Sequence, residues 1–329
     1  MRTDRQRSPA VSVIIPAYQA SRYIAAALAS VFAQTYRNFE VIVVDDGSPD
    51  REQLVAALAP YRSRVQYIEH TSNLGAGAAR NAGIRLARGR YLAFLDADDR
   101  WRPDFLRCQV AHLDANPDAT LVYCDALLSG ETPLAGRRYM QAAPSQGEVT
   151  LISLIEQRCN IILSTVVTRR AVIVAAGLFD ESLRRGQDFE LWLRLALAGA
   201  VIGYQTHLLA ERRVYASLLS SDPVSEIQRT INVLDRFGRA YDLPHAARTA
   251  LRIRIMSLVD RLEIEQGKQR VVEGNFAAAQ YHFQAARTQT WKLRAVALGL
   301  RVSPRLLRAV YMRLRPAWRL GAAPARVTG

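Results

Sequence analysis

Asp96, Asp98 and Asp99 place three carboxylates within four residues, directly after the apolar run Tyr91-Leu92-Ala93-Phe94-Leu95. A run of this kind reads as a buried strand, so the acids gather at its C-terminal end. Like charges so close repel, and each raises the pKa of the others unless a cation or a donor-rich ligand compensates. An oxygen-only cluster suits Mg²⁺ or Mn²⁺, which bind through one or two carboxylates together with the phosphates of a substrate. The chemistry implied is performed on a phosphate-bearing molecule. Taken alone, the same residues read first as a solvated acidic turn, and it is the surrounding pattern that reverses the order.

That pattern begins with Val11 to Ile15 as a first strand, ended by Pro16-Ala17-Tyr18. Ser21 can cap a helix whose apolar positions Ile24, Leu28, Val31 and Phe32 keep helical spacing. Glu40 to Val44 reads as a second buried strand, closed by Asp45-Asp46-Gly47-Ser48. A short helix near Leu54 to Leu58, a strand at Val65 to Ile68 and a helix over 76–88 lead into the strand before the acids. Pro103 opens a helix toward Asn116, and Thr120 to Cys124 is another strand. Strands alternating with helices predict an α/β fold with a doubly wound, mostly parallel sheet. Ligands of such sheets bind beyond the carboxyl ends of the strands. Pro16 to Tyr18, Asp45 to Ser48 and Asp96 to Asp99 all lie at those ends, so three polar loops converge on one rim and argue for a nucleotide site.

Further along, Ser129 to Gly147 reads as a mobile loop, Thr150 to Gln157 as a helix and Leu163 to Thr168 as a strand. Phe189 to Leu197 is an amphipathic helix, and strands near Val201–Tyr204 and Leu209–Tyr215 complete the sheet. After Pro223 the pattern is almost wholly helical. The expected division is a first domain over 1–222 and an all-helical, basic C-terminal extension over 223–329.

Of the 329 residues half are apolar, enough for a sizeable core. The three cysteines, Cys108, Cys124 and Cys159, form no C-x-x-C pair and no metal-ligand spacing, which fits a reduced compartment. Val11 to Ile15 is too short for a signal-peptide core, and Ile161 to Phe179 is broken by Arg169-Arg170 before it could span a membrane. The expectation is a cytoplasmic protein. The net charge of +14 is uneven: from Arg287 to the end there are ten Lys and Arg and no acid. Ser303 can cap and Pro304 can start a last helix, with Leu306, Leu307, Val310, Tyr311 and Leu314 on one face. Arg301, Arg305, Arg308, Arg315 and Arg319 cluster opposite. A basic amphipathic helix suits an anionic membrane surface, here the inner face of the plasma membrane. A helix packed on its own domain with a solvated Arg face is an equally open reading. Nucleic acid is not an expected partner, because beyond Trp291, Tyr311 and Trp318, which fit apolar faces or helix ends, the basic segment lacks interleaved surface aromatics. Gly274 to Ala286 resembles half of a tetratricopeptide unit, but one half-copy makes no array.

Four segments, in order and suitably spaced, resemble the inverting family 2 glycosyltransferases of GT-A fold, of the bacterial cell-surface and exopolysaccharide type. They are Val11 to Tyr18, Val43 to Ser48, Asn73 to Gly83 with Tyr91 to Asp99, and Gly177 to Glu181 with Gln187-Asp188. The resemblance covers roughly residues 10–215. It implies transfer of a sugar from a nucleotide-diphosphate sugar to a hydroxyl of a glycan or lipid-linked glycan, with inversion and a divalent cation, Mg²⁺ or Mn²⁺. By the same resemblance Pro16, Ala17 and Tyr18 line the base pocket and Asp46 accepts from the nucleobase. Asn73 and Gly75 shape the loop that meets the ligand, and Arg80 contacts the diphosphate. Asp96 binds ribose, and Asp98 or Asp99 takes the metal, two registers being open.

Asp188 matches the general base that deprotonates the acceptor hydroxyl, although it can also be the N-cap of the helix carrying Trp192. Two departures stand out. Gln187 replaces the family's usual Glu, and Arg213-Val-Tyr-Ala-Ser217 lacks a His often found there, His207 being misplaced for it. These departures leave a second reading, a catalytically weakened sugar-nucleotide binder of the same fold. Gly75-Ala-Gly77 does not make a dinucleotide fingerprint, since it does not follow the first strand and its sixth position is Arg80. A nucleotidyltransferase would carry a Gly-rich basic loop after strand 1, which is absent.

Overall fold

The computed structural model describes residues 8–130, 133–215, 223–288 and 290–320, with 314–320 by backbone alone. Of the segments read above, Ala216, Ser217, Glu131 and Thr132 lie outside the described residues, as do the side chains of Leu314, Arg315 and Arg319. The chain divides into two compact units, residues 1–220 and 221–329.

The first unit is built on one mixed sheet. In spatial order its strands are β3 (Gln66–Glu69), β2 (Phe39–Asp45), β1 (Val11–Ala17), β4 (Tyr91–Phe94), β7 (Val167–Arg169), β6 (Ala119–Ser129), β8 (Val201–Arg213) and β5 (Arg100–Trp101). The first four run parallel, with Ala17 beside Asp45 and Ile14 beside Phe94. That register brings the loops after β1, β2 and β4 to one edge, the doubly wound half that the strand–helix alternation predicts. β7 is antiparallel to both β4 and β6, and β5 is antiparallel to β8. The sheet therefore mixes directions on its far side.

Helices α1 (Ile24–Phe32), α2 (Arg51–Leu58), α3 (Ala76–Leu86) and α4 (Phe105–Ala115) connect the first strands. α1 has Tyr23, not Ser21, at its N-cap; the Ser21 N–H instead donates to Asp50 Oδ2 at 3.1 Å. α3 carries small residues on its inner side, and a Cβ at Gly83 would stand 2.7 Å from Ile14 Cγ2. Close packing of α3 on β1 and β2 therefore depends on that glycine, and it fixes where Arg80 emerges.

Later elements are α5 (Tyr139–Ala142), α6 (Leu151–Ile155), α7 (Arg170–Ala175) and α8 (Gln187–Leu197). The stretch expected as a strand over 163–168 begins as a 3₁₀ turn, Leu163–Thr165, before β7. Its carbonyls are taken by side chains instead of a neighbouring strand: Trp101 Nε1 donates to Ser164 O and Gln109 Nε2 to Thr165 O, both at 2.7 Å. The two strands expected in 201–215 are one continuous β8. Its polar middle, Thr206-His207, breaks the apolar pattern, yet the long ladder with β6 carries the strand through with bulges near Asp125.

The second unit is helical: α9 (Pro223–Ala240), α10 (His245–Glu273), α11 (Phe276–Ala285), α12 (Trp291–Val302) and α13 (Pro304–Leu320). Gly274, at φ +82°, turns α10 into α11, and Asn275 Oδ1 caps α11 by accepting from Ala278 N–H at 3.2 Å. Val271, Ala279, Phe283 and Leu300 form a small core there, joined by Leu293, Val296, Leu307 and Tyr311. Among the described residues no helix is long and apolar enough to cross a membrane.

Candidate active site

The rim where β1, β2 and β4 end is organised by Asp46. This residue is 2 % exposed, and its N–H donates to Ala17 O at 2.8 Å. Its carboxylate accepts from Leu74 N–H at 3.0 Å and from Gly75 N–H at 2.8 Å, and His70 Nδ1 lies 2.8 Å from Oδ1. Those partners use most of the carboxylate's lone pairs, so Asp46 holds the 73–75 loop in place as well as facing the rim. Gly75 sits at φ +101°, a conformation that suits glycine, and Arg184 Nη1 donates to Asn73 Oδ1 at 2.9 Å. Ala17 is fully buried and offers its carbonyl to Asp46 and Ser48, whereas Tyr18 is exposed and Pro16 half-buried.

Arg80 comes up from α3. Its Nη2 donates to Asp96 Oδ1 at 2.7 Å, and its guanidinium carbon lies 5.6 Å from the Phe179 ring centre. Its Nε is buried without a hydrogen-bond partner. A lone buried donor of this kind is costly unless a ligand supplies the acceptor.

The three acids diverge in environment. Asp96 is the open one, Asp98 is half-buried, and Asp99 is enclosed. Asp99 Oδ1 accepts from Arg213 N–H at 2.8 Å, and the Ser164 hydroxyl also bonds it. Burial first, then repulsion from Asp96 and Asp98, pushes the Asp99 carboxyl up to about 8. Burial and Asp96 also raise Asp98, against a hydrogen bond from the Tyr215 hydroxyl. An oxygen-only group whose negative charge is this poorly compensated suits a divalent cation. Among the described residues no three His, Cys, Asp or Glu side chains gather as a metal cage. The fit is therefore to Asp96 and Asp98 acting with substrate phosphates, a common pattern for Mg²⁺ and Mn²⁺. Asp99, the other register read from the sequence, has its side chain committed to Arg213 and Ser164.

Asp188 lies in the first turn of α8. Gly186, in the left-handed region, is the N-cap, so the helix-capping reading of Asp188 does not hold. Asn81 ties this region to α3: its Nδ2 donates to Phe179 O and Glu181 Oε1, each at 2.9 Å, and its Oδ1 accepts from Phe179 N–H at 3.0 Å. Arg194 fastens the body of α8 to the preceding turn by donating to Leu178 O at 2.6 Å and to Ala176 O. Gln187 is buried against Gly77, where a neutral amide is less costly than the family's Glu.

One group senses both halves of the site. Burial opposes the charge of Arg212, but Tyr139, Asp99, Asp96 and Asp188 outweigh that loss and raise its pKa. Its guanidinium carbon lies 5.4 Å from the Tyr139 ring centre. The acid trio and Asp188 thus share the field of one guanidinium. Arg212, Arg184, Asn81, His70 and Tyr215 were not singled out by the sequence reading. Asn81 and Tyr215 carry a signal as members of the Asn73–Gly83 and Arg213–Ser217 segments.

A parallel half-sheet whose carboxyl rim carries carboxylates and guanidinium groups suits a phosphate-bearing ligand beyond the strand ends. A family model described as glycosyl transferase family 2 matches residues 12–158. The Escherichia coli UDP-Glc:alpha-D-GlcNAc-diphosphoundecaprenol beta-1,3-glucosyltransferase WfaP is 30% identical over 232 residues, covering 69% of this chain and 86% of that protein. S. aureus TarS 1-349 in complex with UDP shares the fold at TM-score 0.59 and 20% identity, covering 93% of this chain and 91% of that one. The mannosyltransferase PcManGT from Pyrobaculum calidifontis, in complex with GDP-Man and Mn²⁺, does so at TM-score 0.62 and 19% identity, covering 96% and 88%. The chain belongs to glycosyl transferase family 2 and is an enzyme that uses nucleotide sugars. The alternative of a weakened binder is not favoured.

Proposed function

We propose that this enzyme transfers a sugar from a nucleoside-diphosphate sugar to a hydroxyl of a lipid-linked glycan, with inversion at the anomeric carbon. The observation that carries this reading is the rim pair Arg80–Asp96, 2.7 Å apart, with the buried Arg80 Nε left without a partner among the described residues. It favours an anionic donor such as a nucleoside-diphosphate sugar at this rim. Pro16, Ala17 and Tyr18 border the base, and Asp46 with Asn73 and Gly75 shapes the loop beside it. Arg80 binds the diphosphate and Asp96 the ribose. Asp188 takes the proton of the acceptor hydroxyl as that oxygen attacks from the face opposite the nucleotide.

Asp98, with Asp96, would hold the divalent cation, and Asp99 supports their loop through Arg213 and Ser164. When bound, such a cation screens the diphosphate and acts as a Lewis acid toward the departing nucleotide. The Mn²⁺ in the PcManGT complex and the diphosphoundecaprenol acceptor in the name of WfaP support the metal and the acceptor class. The basic, acid-free end of the chain supports an anionic membrane surface as a further partner, and with it a role in cell-envelope polysaccharide synthesis.

The test is turnover of UDP-, GDP- and dTDP-sugars on an undecaprenyl-diphosphate sugar, with and without Mn²⁺. Product anomers are read by NMR. Release of nucleoside diphosphate with an inverted linkage is expected. A retained linkage, or no release with any donor, overturns the reading.

A further inference from the structure

α12 is apolar on two opposite sides. Leu293, Val296 and Leu300 share one side and pack into the small core of the second unit. Trp291, Ala295, Leu298 and Val302 recur at helical spacing on the other side. Among the described residues nothing covers them: Trp291 is 75%, Leu298 62% and Val302 76% exposed. An apolar stripe on the outer side of a helix, with charged margins, suits a boundary between water and an apolar medium. Arg294 and Arg301 run along one margin of this outer stripe and Lys292 along the other, all exposed. Lys292 Nζ lies 5.8 Å from the Trp291 ring centre. On α13, Leu306, Val310 and Met312 are exposed, as are Arg305, Arg308 and Arg313.

We propose that the outer face of α12 docks on an anionic lipid bilayer. A Trp at one end, aliphatic side chains along the stripe and flanking cations match the headgroup boundary, where the stripe enters lipid and the cations meet phosphates. A second copy is the poorer occupant, because two-fold pairing of this face sets Arg294, Arg301 and Lys292 against their own kind. The face differs from the one the sequence suggests. Leu307 and Tyr311 of α13 turn inward to the core, so the lipid-facing stripe is chiefly that of α12. The proposal rests on the membrane-surface reading above and names the face that carries it; sugar transfer is tested separately, since vesicle binding is measured without donor or acceptor.

The experiment is co-sedimentation of the full-length protein with phosphatidylcholine vesicles, plain or containing phosphatidylglycerol. The double variant Leu298→Glu/Val302→Glu and the variant Arg294→Ala/Arg301→Ala run alongside. Binding to anionic vesicles only is expected, weakened roughly five-fold per Arg removed and abolished by the Glu pair. Both pairs are exposed, so unchanged thermal melting and unchanged donor turnover with a soluble acceptor show that each variant is folded. Wild-type protein that leaves anionic vesicles in solution, or a Glu pair that binds as well as wild type, overturns the proposal. So does a wild-type dimer that the Glu pair dissociates without any lipid binding. Failure here leaves sugar transfer standing, and failure of transfer leaves the vesicle result intact.

Discussion

Arg80 donates to Asp96 across 2.7 Å from a guanidinium that is only 6% exposed to a carboxylate that is 41% exposed. The pair joins α3 to the loop after β4 and presents a fixed cation and an open anion to the rim. The unpartnered Nε of Arg80 adds a donor that has nothing to bond within the protein. Arg80→Lys keeps one charge but loses the planar fork. Nucleoside-diphosphate affinity is expected to fall by about ten-fold or more, the equivalent of one or two charge-assisted hydrogen bonds. Titration calorimetry with UDP and GDP measures it, and unchanged affinity for both would remove Arg80 from the site.

Asp188→Asn separates chemistry from structure. Because Gly186 is the cap, the substitution forfeits only a first-turn charge, worth less than about 1 kcal/mol. Loss of a general base costs ~10² to 10⁴-fold in turnover. Expected is a folded protein with intact donor binding and a collapsed kcat. A variant with near-native kcat would show that another group takes the proton.

Asp46→Ala should loosen the donor loop. It leaves the part-buried Leu74 and Gly75 N–H groups without their acceptor, at a cost of about 0.5–1.5 kcal/mol for each hydrogen bond lost. Amide hydrogen exchange at 74–76 should speed up while exchange in β1 and β2 stays slow, with weaker donor binding. Unaltered exchange at 74–76 would mean that the loop is held by other contacts.

Glu40 offers a pH test away from the site. Burial opposes its ionisation, but hydrogen bonds from the Ser12 hydroxyl and the Arg88 backbone and guanidinium win and hold its carboxyl below the ordinary value. A depressed folded pKa gives stability that is present above the unfolded pKa and lost as pH falls through the folded one. Glu40→Gln should therefore lower the melting temperature at pH 7, with the gap to wild type closing below about pH 4, near the ordinary Glu range. A gap of constant size across that range would show that charge is not its source.

Much of this was legible along the chain. The strands before Pro16, Asp45 and Asp96 announce themselves by apolar runs ended by turn formers, both local properties. The parallel half-sheet and the convergence of three loops follow from them. The strand expected over 163–168 is confined to its last residues, and the two strands expected in 201–215 are one, because in both places the backbone's partners come from distant residues. Trp101 and Gln109 claim the first, and β6 carries the second.

The amino-acid sequence by itself determined which chemical groups stand at the strand ends, because strand periodicity and turn chemistry act over a few residues. Only the tertiary structure decided how those groups differ. It left Asp96 open, enclosed Asp99 under Arg213 and Ser164, and bound Asp46 to His70 and the 74–75 backbone. It also turned the apolar stripe of α12 outward. Burial and hydrogen-bond partnering depend on residues far apart in the chain, and those contacts exist only once the sheet and helices have packed.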